Sequence, residues 1–366
     1  MNKLGVIADD FTGATDIAGF LAANGVVTVQ TNGVSSIKLE DTVQAIVVSL
    51  KSRSCPKQEA IDESLKALMW LKEQGCTQFY FKYCSTFDST PKGNIGPVTD
   101  ALMEALGSTI TIICPALPIN GRTVYKGYLF VQDVLLNESG MRHHPVTPMH
   151  DAKLLRLMEA QSAHKACEIH VEAVERGSNH LKRCIKEARD SGCSYVVVDA
   201  LKQKHLDIIA RATKDFVLLT GGSGLAESMA KLTKKSSQEK ERAIEKGKPK
   251  LSKSIILAGS CSQATNLQVD AYKAIAPSVS FDIGAYDQNS DQYVADITAW
   301  VVEQMAHPYA PLVYATKSAE MVKELGLQYP HIDIGQMVER FFAQLSIALY
   351  DIGIRNYIIA GGETSG

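Results

Sequence analysis

Several features that define common protein classes are missing from this 366-residue sequence. No apolar run is long enough to cross a bilayer, so a membrane-spanning helix is not predicted. The eight cysteines include no CxxC pair, which argues against a zinc site. The 38 lysine and arginine residues are balanced by 40 aspartate and glutamate residues, and a net charge of −2 provides no basic field for nucleic acid. We therefore expect neither a membrane nor nucleic acid as a partner.

The start of the chain has no signal-peptide layout, because Met1-Asn-Lys-Leu-Gly5 leads directly into an apolar strand pattern. We therefore expect a cytoplasmic protein whose cysteines are reduced and largely buried. The composition, 45% hydrophobic and 21% charged, is that of an ordinary globular protein. The length is typical of two domains.

The strongest local pattern is a strand, a polar turn and a helix at the start of the chain. Leu4–Ala8 is a short apolar run that predicts a buried strand, and Asp9 and Asp10 follow it directly before a helical pattern. In open α/β sheets, ligands bind outside the carboxyl ends of the strands, where a helix N-terminus offers free N–H groups. Helix capping by aspartate is the simpler explanation of the two carboxylates, and both interpretations stay open at this point.

Polar residues also follow later predicted strands. Arg53, after the third strand, can bind a carboxylate or phosphate through two parallel hydrogen bonds. The loop 83–96 carries Asp88 and many hydroxyls, which suits a polyhydroxylated acid because buried hydroxyls need partners. Arg122, beyond a predicted Asn-Gly turn, is a second candidate for an anion. Solvated surface residues and simple turns are the alternative explanation for each of these features.

Two further patterns have ambiguous meaning. The glycine-rich turn 221–224 lies between a predicted strand and a helix, and phosphate binding and close strand-to-helix packing explain it equally well. His143, His144 and His150 lie in an irregular segment. Adjacent side chains do not normally face one point, so we predict no metal site there.

The alternation of strand and helix patterns predicts an α/β fold of two domains, each with a mostly parallel sheet flanked by helices. Residues 1–232 form the first domain, 233–253 a Lys- and Glu-rich linker, and 254–366 the second domain. The Gly361–Thr364 turn after the last predicted strand should open a helix for which no sequence remains. We therefore expect the second domain to be truncated.

Seven short motifs together resemble the four-carbon acid sugar kinase family, over essentially the whole chain. They are residues 8–16 (ADDFTGATD), 51–54 (KSRS), 82–90 (KYCSTFDST) with 93–96 (GNIG), 115–123 (PALPINGRT), 220–224 (TGGSG), 259–262 (GSCS) and 361–364 (GGET). The resemblance implies an N-terminal domain that binds a sugar acid and a C-terminal domain that binds ATP. It implies transfer of the γ-phosphoryl group to the terminal hydroxyl of an acid such as 3-oxo-tetronate. The nucleotide contacts that it implies are Ser262, Gly361, Gly362, Glu363 and Thr364.

Phosphoryl transfer depends mainly on positioning and charge neutralisation, which gives the candidate residues their expected roles. Asp9, Asp10 and Asp88 are candidates for the catalytic base, or, for one of them, a ligand of the Mg²⁺ that accompanies ATP. The residues expected to bind the substrate are Arg53, Lys82, Ser85, Thr86, Asn94 and Arg122. With the acid on one domain and ATP on the other, a hinge closure is expected.

Other functions are compatible with the same sequence. The acid could be threonate or erythronate, and the protein could bind a sugar acid without catalysis. A nicotinamide-linked dehydrogenase is disfavoured because no GxGxxG opens the first strand-helix unit. The predicted partners are a sugar acid and ATP, and a homodimer is compatible with the sequence.

Overall fold

The apolar runs of this chain form two α/β units, Met1–Gly247 and Lys248–Gly366. The structure is a computed structural model that describes residues 3–36, 39–144, 147–232, 253–361 and 364. Each unit is built on a parallel sheet accompanied by helices, which confirms the predicted fold class. The predicted linker 233–253 lies outside the described residues, apart from Lys253. In the described ranges, no helix has the length and apolar character needed to cross a membrane.

The first unit contains a parallel sheet and a smaller antiparallel sheet. Its strands are β1 (Leu4–Ala8), β2 (Thr28–Asn32), β3 (Ala45–Ser49), β4 (Gln78–Lys82), β5 (Thr111–Cys114), β6 (Arg122–Tyr125), β7 (Tyr128–Val131), β8 (Val134–Leu135), β9 (Ala166–Ile169), β10 (Tyr195–Val198) and β11 (Leu218–Gly221). Eight of them form the parallel sheet in the order β2-β3-β1-β4-β11-β5-β10-β9. Strands β6, β7 and β8 form the antiparallel sheet. The first unit therefore places its last strand, β11, in the middle of the parallel sheet.

Helices connect the parallel strands. They are α1 (Phe11–Ala23), α2 (Lys57–Glu73), α3 (Ile95–Leu106), α4 (Leu154–Gln161), α5 (Val171–Glu175), α6 (Ser178–Asp190), α7 (Gln203–Ala212) and α8 (Ser223–Lys231). The strands β1, β3, β4, β5 and β10 are buried along their whole length, as expected for a parallel sheet that is covered on both faces. Burial of both faces explains why these strands are mostly apolar and do not alternate between apolar and polar residues.

The second unit has a four-stranded parallel sheet in the order β13-β14-β12-β15. Its strands are β12 (Ser254–Ala258), β13 (Ser278–Ser280), β14 (Leu312–Tyr314) and β15 (Asn356–Ala360). Its helices are α9 (Gln263–Lys273), α10 (Ile283–Gln288), α11 (Ser290–Gln304), α12 (Ala319–Gln328) and α13 (Ile334–Asp351). An apolar core with stacked Phe281 and Phe341 rings, 4.6 Å between centroids, packs in this unit.

Two of the eight cysteines are joined, so the expectation of reduced cysteines throughout was wrong. Cys167 lies on β9, Cys193 lies just before the neighbouring strand β10, and the two form a disulfide. Their Cα atoms are 6.0 Å apart, a spacing that neighbouring strands provide and that disulfides require. Because the two cysteines are 26 residues apart in the sequence, their proximity was not predicted.

Candidate active site

The carboxyl ends of three neighbouring strands, β3, β1 and β4, meet at Asp9. The N–H of Asp9 donates to the carbonyl of Lys82 at 3.0 Å. The carbonyl of Asp9 accepts from the N–H groups of Ser52, at 3.0 Å, and of Arg53, at 3.2 Å. Because β1 lies between β3 and β4, these backbone bonds fix the polar turns of all three strands against one another.

Arg53 lies at the centre of three carboxylates. Its Nε and Nη2 each donate to one oxygen of Asp9 at 2.9 Å, the bidentate geometry that only arginine provides. Nη2 is also 3.0 Å from Asp10 Oδ1, and Nη1 is 3.5 Å from Asp88 Oδ2. Burial opposes the charge of Arg53, but Asp9 more than compensates and raises the pKa of the guanidinium, which therefore stays charged.

A strained turn brings Asp88 to this cluster. Phe87, directly before it, adopts φ +49°, a left-handed conformation that is rare for an aromatic residue and costs about 1 kcal/mol or more. The buried Phe87 ring packs edge-on against Tyr83, 5.5 Å between centroids, which holds the turn in place. Thr86 Oγ1 then donates to Asp88 Oδ1 at 2.5 Å. Thr86 therefore orients a carboxylate in this structure.

Asp10 differs from the other two carboxylates in accessibility and in charge balance. Its side chain is 28% exposed, against 5% for Asp9 and 8% for Asp88. Burial, and next the neighbouring charge of Asp9, raise the pKa of Asp10 above its ordinary value, although Arg53 and Lys82 oppose the shift. Asp10 Oδ1 also accepts from the N–H of Gly13 at 2.8 Å and caps α1. The capping interpretation is therefore correct for Asp10, and it leaves the second oxygen for other partners.

The remaining predicted substrate residues fall into different environments. Lys82 is 3% exposed, and its Nζ donates to the carbonyl of Tyr83 at 2.9 Å. The Asn94 amide donates to the carbonyls of Ser52 and Cys55, both at 2.9 Å, so it holds the Arg53 turn. Ser85 is partly exposed in the loop after β4.

Among the described residues, the side chain of Arg122 makes no hydrogen bond or ion pair with the acidic cluster. It begins β6, and its Nη1 donates to the carbonyl of Asn120. Its Nε is buried and has no hydrogen-bond partner within the described part of the chain. Arg122 therefore has a buried spare donor, whereas most donors of Arg53 are used by aspartates.

A small cavity of about 10 Å³ lies beneath the cluster, and Asp9, Arg53, Asp88 and Asn94 contribute to its wall. That volume has room for about one water molecule. A wider groove of about 760 Å³ runs along α2 and α3 and is lined by none of the predicted site residues.

The three carboxylates do not fit a dedicated Mg²⁺ site. Mg²⁺ needs oxygen ligands arranged around an open centre at 2.0–2.1 Å. Here the guanidinium of Arg53 is within 3.5 Å of all three carboxylates and already supplies the positive charge.

The glycine-rich turn 221–224 serves close packing. A Cβ on Gly221 would lie 2.2 Å from the carbonyl oxygen of Cys114, and one on Gly222 would lie 2.6 Å from that of Pro115. Ser223, at the first position of α8, donates to the carboxylate of Asp16. These contacts favour the packing interpretation over a phosphate-binding turn.

In the second unit, two of the predicted nucleotide turns lie together because β12 and β15 are neighbours. The N–H of Gly259 donates to the carbonyl of Ala360 at 3.2 Å. Gly361 has φ +122°, and a Cβ there would lie 2.7 Å from Cβ of Ser260 and 3.0 Å from Oγ1 of Thr364. Gly362 and Glu363 lie outside the described residues.

Ser262 caps the helix that follows β12. Its hydroxyl accepts from the N–H of Thr265 at 3.2 Å, at the N-terminus of α9. A helix N-terminus beside two glycine turns offers backbone N–H groups of the kind that bind phosphates. The described residues of this edge are therefore compatible with binding the phosphate groups of a nucleoside triphosphate.

Lys317, which follows β14 at the same edge of this sheet, is not among the residues predicted from the sequence. The available signal was a cationic residue between a predicted strand and the next helix, the pattern that singled out Arg53 in the first unit. The segment 315–318 was too short and too ordinary to be noticed without the neighbouring strands.

Comparison with known proteins identifies the class of protein to which this chain belongs. Residues 4–229 match the family model described as a sugar-binding N-terminal domain, and residues 255–366 match the nucleotide-binding C-terminal domain. The chain is therefore a two-domain sugar-acid kinase of the four-carbon acid sugar type.

Similar individual proteins indicate which kinases of this family the chain resembles. The chain is 50% identical over 365 residues to a 3-oxo-tetronate kinase of Brucella melitensis, covering 100% of this chain and 84% of the relative. It is 49% identical over 368 residues to the 3-oxo-tetronate kinase of Escherichia coli K12, covering 100% and 94%. A solved structure from Salmonella typhimurium LT2 has a TM-score of 0.88 at 47% identity, covering 100% and 86%. The chain belongs to the 3-oxo-tetronate kinase family.

Proposed function

We propose that this protein transfers the γ-phosphoryl group of ATP to the terminal C4 hydroxyl of a four-carbon sugar acid, with 3-oxo-tetronate as the substrate. The acid would bind the first unit and ATP the second. The proposal places the enzyme in the cytoplasm, where ATP is available. The observation that carries the proposal is the carboxylate cluster around Arg53, in a chain that is about half identical to 3-oxo-tetronate kinases.

Asp10 is the candidate base in this scheme. It is the most exposed of the three carboxylates, and its raised pKa makes it a better proton acceptor than an ordinary aspartate. Asp9 is engaged by Arg53 through both oxygens, so its role is to hold the guanidinium in place. Asp88, fixed by Thr86, would complete the acceptors for substrate hydroxyls.

The charge of the cluster favours hydroxyls over a carboxylate as its ligands. Three aspartates outnumber Arg53 and Lys82, and an added anion would meet net repulsion. Arg122, with its unpartnered Nε, is the better candidate for the carboxylate of the acid. Ser85 and the other hydroxyls of the 83–96 loop would supply further donors.

ATP would be held by the hydroxyls of Ser262 and Thr364 and by the N–H groups of the turns at Gly259 and Gly361. Gly362 and Glu363 belong to the same predicted set. Mg²⁺ would arrive as the counterion of the nucleotide, because the aspartate cluster offers it no open site.

The direct test is product analysis after incubation with ATP-Mg²⁺ and 3-oxo-tetronate, with threonate and erythronate in parallel. ADP release measures turnover, and ³¹P spectroscopy identifies the ester. A phosphate on C4 couples to two protons, whereas one on the C2 oxygen couples to one. A one-proton pattern would refute the C4 assignment. Turnover only with threonate or erythronate would reassign the substrate, and binding of the acid without ADP release would identify a binding protein.

A further inference from the structure

Lys317 lies at the edge of the second sheet where all four strands end. The N–H of Phe281, just after β13, donates to the carbonyl of Tyr314 at 2.7 Å. The N–H of Ala315 donates to the carbonyl of Ala258 at 2.8 Å. These bonds bring the residues after β14 alongside the turn that contains Gly259 and Ser262. In parallel α/β sheets, this edge is where ligands bind.

The backbone of Lys317 is tied directly to the capped start of α9. The Asn266 amide donates to the carbonyl of Lys317 at 3.2 Å. The same amide donates to the carbonyls of Cys261, at 3.2 Å, and Ser262, at 3.1 Å. A single side chain therefore fixes the Lys317 segment next to the predicted phosphate-binding turn.

The ammonium group of Lys317 is held by a neutral partner. Its Nζ donates to Ser280 Oγ at 2.8 Å, and the side chain is partly buried. Several other lysines pair with carboxylates, such as Lys153 with Glu168 and Lys273 with Asp270, whereas Lys82 donates to a backbone carbonyl. Within the described ranges, no carboxylate lies at ion-pair distance from Lys317 Nζ.

A partly buried ammonium that has only a hydroxyl partner retains two N–H donors and an uncompensated charge. An anion that binds there gains a charge-assisted hydrogen bond without displacing a competing carboxylate. Lysine is a common phosphate ligand, because its compact charge can be directed at one phosphate oxygen.

We propose that Lys317 binds the phosphate chain of the nucleotide, and that Ser280 positions its ammonium group for this contact. The proposal rests on the proposed function, because it takes ATP as the ligand of the second unit. It adds a cationic phosphate ligand to a site that otherwise consists of hydroxyls and glycine turns. Lys317 would be a binding residue, and Ser280 a positioning residue that acts through it.

The test measures binding of ATP, ADP and adenosine by calorimetry to the wild-type chain and to Lys317→Met. Loss of one charge-assisted contact should weaken ATP and ADP binding about ten- to hundredfold, whereas adenosine, which has no phosphate, should bind as before. Lys317→Arg should recover part of the ATP affinity. Lys273→Met, on exposed α9 in the same unit, is the matched control and should change ATP affinity less than about twofold.

The outcomes separate this inference from the proposed function. No ATP binding by the wild-type chain would refute both. ATP binding that is unchanged in Lys317→Met, or an equal loss for adenosine and ATP, would refute the phosphate contact alone. Should Lys317→Met fail to fold, Ser280→Ala tests the positioning of the Lys317 ammonium group, because it removes only one hydroxyl. We expect it to raise the KM for ATP about threefold to tenfold with adenosine binding intact, and an unchanged KM would refute the positioning role.

Discussion

Replacement of Asp10 by asparagine should separate catalysis from stability in the first unit. Asparagine retains the side-chain oxygen that accepts from Gly13 N–H at 2.8 Å, and it caps helices about as well as aspartate. It removes the charge that would accept the proton of the attacking hydroxyl. General-base catalysis contributes about 10²–10⁴-fold, so kcat should fall by that factor, or about 3–5 kcal/mol in activation free energy.

The same variant should be at least as stable as the wild type at neutral pH. Burial in the folded state raises the pKa of Asp10 above its ordinary value of 3.8, so the native state binds this proton more tightly than the unfolded chain. Ionisation of Asp10 therefore opposes folding once the pH exceeds 3.8. A neutral asparagine avoids this penalty. The Tm advantage of Asp10→Asn should grow from about pH 4 upward and level off above the folded pKa.

Asp9→Asn is the matched control, because it changes the adjacent carboxylate in the same way. Asp9 holds Arg53 through two bonds of 2.9 Å, and removal of one partner of such a buried pair costs about 3 kcal/mol. Urea denaturation and ADP-release assays between pH 4 and 8 measure both quantities. Near-normal kcat in Asp10→Asn would show that Asp10 is only a structural cap. Destabilisation equal to that of Asp9→Asn would contradict the predicted gain in stability.

Three further substitutions test the surrounding contacts. Arg53→Lys cannot reproduce the two-bond contact with Asp9, so kcat/KM should fall about tenfold or more in initial-rate assays. Full activity would contradict the role assigned to the bidentate contact. Gly221→Ala places a methyl group 2.2 Å from the Cys114 carbonyl and should cost about 1–3 kcal/mol in urea unfolding, whereas an unchanged midpoint would mean that the strands can separate. Asn94→Ala leaves buried carbonyls without a donor and should cost about 1–3 kcal/mol, again by urea unfolding; no loss would show that water replaces the amide.

The parts of this protein that could be predicted from sequence are those that depend on local order. The unit β1-Asp9-Asp10-α1 follows from an apolar run, two carboxylates and a helical pattern, and it is present in the structure. The pairing of Asp9 with Arg53, 44 residues away, required knowledge that β3 lies beside β1. Local patterns do not specify the order of strands in a sheet.

Contacts between residues that are distant in sequence also explain the features that the sequence left ambiguous or did not reveal. The turn at Gly221 could not be assigned until Cys114 was known to lie against it. The structural contacts of Asn94 were not predicted, because its partners, the carbonyls after β3, are distant in sequence. Lys317 became notable only when β14 was placed between β13 and β12.

The central position of β11 has a consequence for biosynthesis. When residues 1–217 have emerged from the ribosome, β4 and β5 are available for pairing. The strand that pairs with both of them, β11, has not yet emerged. The nascent sheet would have a gap in its middle, with unpaired edges that chaperones can recognise and other chains can join. The parallel sheet of the first unit therefore cannot be completed until Leu218–Gly221 emerges, so the pairing of this short segment is a late step in a cooperative assembly.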